Sequence, residues 1–77
     1  MPRTEVQFKE RREQKRIHIM DAALELFAEK GFASTSITMI AKHASISKGL
    51  MYNYFESKEE LIISIVHDGF DKFLREF

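Results

Sequence analysis

Cysteine is absent from this chain of 77 residues, which excludes disulfides and thiolate metal sites. No apolar run approaches the roughly 20 residues needed to span a bilayer. The amino terminus is polar and charged rather than a signal peptide, so no membrane partner and a cytoplasmic location are expected. The only histidines, His18, His43 and His67, are far apart, and no carboxylate pair completes a metal-ligand spacing. There is no glycine-rich phosphate loop and no Ser-His-Asp order with an activating geometry. Catalysis is therefore not expected, and neither is a cofactor. Repeats, low-complexity segments and strand-period patterns are missing as well.

What is present is a foldable core. The apolar fraction is 44%, with seven Phe, too high for a disordered tail. A chain this short forms one domain. Its net charge is zero, an unpromising sum for a nucleic-acid binder, yet the distribution is uneven. Residues 1–16 and 30–58 each carry +3, while 17–29 and 59–77 each carry −3. No acid occurs between Glu29 and Glu56, so that surface can approach phosphates without repulsion.

Residues 1–8 show no periodicity and contain Pro2; they are read as a flexible arm. A helical pattern begins near Lys9, and Ile17, Met20, Leu24 and Phe27 trace one helix face. Gly31 is the expected stop, since glycine enters the left-handed region without steric cost. Thr35 or Ser36 offers the next N-cap, and Ile37, Ile40 and Ala41 form the buried side of a short second helix ending near His43. Ala44, Ser45 and Ile46 make a tight turn. Ser47 caps a third helix, placed at about 47–54, whose apolar contacts are Leu50, Met51, Tyr54 and Phe55. The run Ser57-Lys58-Glu59-Glu60 is a capping box, with Glu60 expected to reach back to the cap's N–H. It opens a fourth helix carrying Leu61, Ile62, Ile65, Val66, Phe70, Phe73, Leu74 and Phe77; Gly69 within it suggests close helix packing. The fold class is all-α: a three-helix bundle with helix-turn-helix order over 9–57, followed by a longer fourth helix over 58–77.

In a helix-turn-helix the second short helix presents its amino-terminal residues to base edges. Here these are Ser47, Lys48 and Gly49. Ser47 can cap and also donate to a phosphate. Lys48 projects from the first turn, though a lone lysine there is also an ordinary solvated charge. Gly49 either is a neutral occupant of a short helix or permits close approach of the backbone to DNA. Tyr52 and Asn53 face outward one turn later; Asn can read adenine and Tyr can bond a phosphate. Thr38 and Lys42 lie on the polar face of the second helix. Lys58 opposes the dipole at the start of the fourth, a placement that a bound phosphate would explain. The basic run over 9–16 is mixed with Glu10 and Glu13 and reads either as a solvated helix face with internal ion pairs or as a phosphate or minor-groove contact.

Together, Gly31-Phe32, Thr35-Ser36-Ile37, Ile40-Ala41, Ala44, Ser47-Lys48-Gly49, Tyr52, Tyr54-Phe55 and Ser57-Lys58-Glu59-Glu60-Leu61 resemble the TetR-type DNA-binding domain over about residues 10–65. The resemblance implies a bacterial transcription regulator, usually a repressor, that binds double-stranded DNA at a palindromic operator as a homodimer. It also implies roles. Ser36 and Thr38 match phosphate and base contacts of the second helix. Lys48, Gly49, Leu50 and Asn53 match groove-facing positions; Tyr52, Tyr54 and Lys58 match phosphate contacts. Two positions depart from the pattern: Ser45 stands where the turn commonly has Gly, and Met39 where a charged residue is frequent.

Family members continue into a helical regulatory domain that binds a small-molecule inducer and dimerises, so an inducer is expected only there. Phe70, Phe73, Leu74 and Phe77 supply more apolar surface than three small helices cover, which reads as the start of a connection to that domain. The alternative is a protein-interaction module that uses the apolar end of the fourth helix.

Overall fold

The computed structural model describes the backbone of residues 2–76 and the side chains of residues 7–75. Four helices follow in order: α1 (Pro2–Lys30), α2 (Ile37–His43), α3 (Lys48–Tyr52) and α4 (Lys58–Glu76). The described residues contain no strand. α2 packs on α1, α3 on α2, and α4 returns to α1.

α1 starts well before the expected Lys9. Its helical backbone runs back to Pro2, through residues read above as an arm. Proline fits the first helical position, where its missing N–H has no partner to lose. No further Pro or Gly occurs before Gly31, so nothing local stops the helix. Met1 lies outside the described residues.

The buried face of α1 is also rotated from the one expected. Ile19, Met20, Ala22, Ala23, Leu26 and Phe27 are buried, whereas Ile17 and Leu24 are 45% and 48% exposed. The small Ala22 and Ala23 turn inward. They face a core built from Ile40 and Ala41 of α2, Met51 of α3, Phe55, and Leu61 of α4. Phe32, Ile37, Met39, Ile46, Tyr54, Ile62 and Ile65 pack around it half-buried, so Met39 is a packing residue. α4 enters the core only through its first turns. Val66, Phe70, Phe73 and Leu74 are exposed, and Phe77 lies outside the described residues. An added Cβ at Gly69 would meet no neighbouring atom, so close packing does not account for that glycine.

Several helix ends are chemically marked. Gly31 takes φ +87° and its N–H donates to the Phe27 carbonyl at 2.9 Å. Thr35 is not a cap: it is buried, and its hydroxyl donates to the Gly31 carbonyl at 2.8 Å, with the Leu26 carbonyl at 3.3 Å. Ser36 caps α2 and Ser47 caps α3. At α4 the box is reciprocal but shifted by one residue. Ser57 Oγ accepts from the Glu60 N–H at 3.1 Å, while the Glu60 carboxylate accepts from the N–H of Glu56 at 2.9 Å.

α2 ends in a Schellman motif. Ile46 N–H donates to Ala41 O at 3.0 Å and Ser45 N–H to Lys42 O at 3.1 Å, the paired 6→1 and 5→2 bonds of that cap. The motif requires a left-handed residue, and Ser45 supplies it at φ +60°. An L-residue there costs roughly 1–2 kcal/mol, partly offset because glycine loses more backbone entropy on folding. Ser45→Gly is therefore expected to stabilise the domain by up to about 1 kcal/mol, measured by thermal or urea denaturation. Unchanged or reduced stability would show that the serine is not strained.

Candidate nucleic-acid interface

α3 is shorter than the expected span of about 47–54: it covers Lys48–Tyr52. Its exit tightens into i→i−3 bonds, Asn53 N–H to Leu50 O and Tyr54 N–H to Met51 O, both 3.0 Å. This tighter winding swings Phe55 into the core, where it is 2% exposed. The amino-terminal face of α3 is left open to solvent. Ser47 is exposed while its Oγ accepts from the Leu50 N–H at 3.0 Å. Lys48 and Gly49 are exposed, Leu50 is half-buried, and Asn53 is exposed just beyond the helix. Among the described residues Lys48 has no hydrogen bond or ion pair. A Cβ at Gly49 would meet nothing within 4 Å, so the fold itself does not require glycine there.

α2 presents Ser36 and Thr38, both exposed. Ser36 Oγ accepts from the Met39 N–H at 3.1 Å, leaving its own O–H free to donate outward. Ser36, Tyr52 and Lys58 line one surface cleft together with Ala33, Ser34 and Ser57. Three residues drawn from α2, α3 and α4 thus converge. Glu56 and Glu59 also border this cleft, so it is not uniformly basic. Lys58 is half-buried and turned inward: Nζ donates to the Phe32 carbonyl at 2.7 Å and lies 4.3 Å from the centre of the Phe32 ring. It thereby ties α4 to the connection between α1 and α2.

Tyr54 does not join that group. It is half-buried, with the Arg12 guanidinium stacked 4.5 Å from its ring centre. The same guanidinium donates to the Asn53 carbonyl at 3.1 Å, which anchors the end of α3 to α1. The end of α2, just before the turn into α3, is steadied by His18, whose Nε2 donates to the Ala44 carbonyl at 2.9 Å. His43, in the last turn of α2, sits 2.6 Å from a Glu25 carboxylate oxygen on α1. Sequence periodicity gives no signal for these ties, because the partners lie 41, 26 and 18 residues apart. Arg16 completes the frame by bridging Glu13 and Asp68, 3.0 Å from each. Hydrogen bonding from Arg16 holds the Asp68 carboxyl below the usual carboxylate range, against the opposing effect of desolvation. The described residues contain no group of three or more His, Asp or Glu side chains arranged to hold a metal ion, and no helix long and apolar enough to cross a membrane.

Residues 19–65 match the family model described as bacterial regulatory proteins, tetR family. The chain is 52% identical over 54 residues to an uncharacterised HTH-type transcriptional regulator of Bacillus subtilis, YuxN, covering 70% of this chain and 19% of that protein. It is 37% identical over 60 residues to the fatty acid metabolism regulator protein of the same organism, covering 78% of this chain and 31% of that protein. It is 42% identical over 62 residues to the HTH-type transcriptional regulator UidR of Escherichia coli K12, covering 80% of this chain and 32% of that one. The chain thus spans about a fifth to a third of the length of these relatives.

The Arg16–Asp68 pair has a definite pH signature. Asp68 has a lowered folded pKa, so its contribution is present above the unfolded carboxylate pKa of about 3.9 and is lost as pH falls through the lower folded value. Both side chains are partly exposed, so Asp68→Asn should cost no more than about 1 kcal/mol at neutral pH. The difference from the unsubstituted protein should shrink as the pH falls through the folded value and vanish in stronger acid below it. Urea melts at neutral pH and in acid read this directly; a pH-independent difference would assign the loss to packing instead.

Proposed function

Because the chain belongs to the tetR family of bacterial regulatory proteins, and is a DNA-binding, transcription-regulating domain, we propose that it reads sequence by placing α3 in the DNA major groove. The observation that carries this reading is the open amino-terminal face of α3, where an exposed Lys48 without a protein partner adjoins Gly49, whose missing Cβ leaves empty space. Lys48, Gly49, Leu50 and Asn53 face the bases. Ser36, Thr38, Ser47 and Tyr52 hold phosphates on either side, and Tyr54 contributes from the end of α3 beneath Arg12. Lys58 joins them: an ammonium has three donors and can keep Phe32 while donating to a phosphate.

The finer reading is a cytoplasmic repressor without catalytic activity, acting as a homodimer on a palindromic operator. Its two recognition helices would sit roughly 34–36 Å apart, one turn of DNA. The regulatory part, with any small-molecule inducer, would belong to the longer protein of which relatives of this kind are examples. Support for such a junction comes from the groove between α1 and α4, where Ile17, Met20, Leu24, Ile65 and Gly69 are bordered by Asp21, Asp68 and Lys72. The exposed Phe70, Phe73 and Leu74 at the apolar end of α4 favour a second reading, in which that end is a protein-interaction surface in its own right. The two are compatible, since that end of α4 and the α3 face use different residues.

Gly49→Ala separates folding from binding. It should raise thermal stability by a few tenths to about 1 kcal/mol through helix propensity while weakening binding to a duplex enriched from a random pool. Lys48→Ala should weaken that binding and alter base preference. Gly49→Ala binding as tightly as the unsubstituted protein would remove the case for close backbone approach at α3.

A further inference from the structure

The amino-terminal half of α1 is more than support. Arg11, Gln14, Lys15 and His18 line one surface depression, as expected for residues three and four apart on a helix. All four are exposed. Arg11 and Lys15 make no hydrogen bond or ion pair among the described residues, whereas the neighbouring arginines are committed. Arg12 is held by Asn53 and Tyr54, and Arg16 by Glu13 and Asp68. The acids of this segment are kept off the row: Glu13 turns to Arg16, and Glu10 is not among the residues lining the depression.

The position of the row relative to α3 follows from its two anchors. His18 grips the Ala44 carbonyl just before the turn into α3, and Arg12 grips the Asn53 carbonyl just after α3. The two anchors, about 9 Å apart along α1, hold it against the turn that precedes α3 and against the carbonyl that follows α3. Lys15 lies between the anchors and Arg11 stands next to Arg12.

We propose that Arg11 and Lys15 form a second phosphate-binding row that grips the DNA backbone beside the site engaged by α3. This rests on the DNA-binding reading given above and adds a surface outside the helix-turn-helix. The partner is a polyanion with regularly spaced phosphates. A point anion would not need two cations one helical turn apart, about 6 Å.

The test uses the 77-residue chain and a 30-base-pair duplex of random sequence (length about that of three helical turns), titrated across a salt series. The Arg11→Gln/Lys15→Gln variant alters two exposed, unpaired side chains and should keep the fold, checked by circular dichroism. It should weaken binding roughly tenfold at low salt and reduce the slope of log K against log salt by about 1.8, since each lost phosphate contact removes about 0.9. Lys72→Gln/Arg75→Gln, which removes equal charge from the far end of α4, should leave the slope unchanged. An equal loss in both double variants would assign the effect to net charge and overturn the proposal. So would an unchanged slope in Arg11→Gln/Lys15→Gln while Lys48→Ala still weakens binding; the α3 reading would then stand alone. No binding by the unsubstituted chain at low salt would overturn both.

Discussion

The left-handed backbone at Ser45 fixes the angle at which α3 leaves α2, and the exposed α3 surface depends on that angle. α2 and α3 have seven and five residues, far below the roughly 12–15 at which an isolated helix becomes even marginal in water. They persist because both ends are tied. Ser36 and Ser47 each occupy one of the free N–H groups of the first turn, the Schellman bonds occupy the carbonyls ending α2, and Ile40, Ala41, Met51 and Phe55 anchor them in the core. Ala44 and Ile46 flank the left-handed residue and both turn inward, so a different turn geometry would expose them and redirect Lys48.

The punctuation of the chain was legible because it is local chemistry. Gly31, Ser36, Ser47 and Ser57 act within four residues of themselves, and each marks a helix end where the sequence suggests it. The buried face of α1 was less legible. Apolar residues occupy so much of its circumference between Ile17 and Phe27 that two registers fit the helical period. The burial of Ala22 and Ala23, with Ile17 and Leu24 left exposed, shows which register the fold uses. At the candidate site the exposed positions of α2 and α3 follow from helix placement. The inward turn of Lys58 onto Phe32 and the stacking of Arg12 on Tyr54 do not, because each joins residues brought together only by the finished fold.

Zero net charge and a nucleic-acid interface are reconciled by where the charges are spent. Glu25 faces His43, Glu13 and Asp68 share Arg16, and Asp71 pairs with Arg75. Part of the acid is paired on α1 and α4, while Lys48, Arg11 and Lys15 stay unpaired among the described residues. The surface around α3 is in this way more positive than the chain as a whole.

The exposed apolar strip on α1 and α4 also has a calorimetric meaning. The heat capacity of unfolding, typically about 12–15 cal/mol/K per residue, grows with the apolar area newly wetted. Ile17, Leu24, Ile63, Val66, Phe70 and Leu74 already meet water in the folded chain. Unfolding hydrates less of them than it would of buried side chains, which flattens the temperature dependence of stability. Covering that strip would restore the missing curvature, so the strip's occupancy is written into the shape of the melting curve as well as its midpoint.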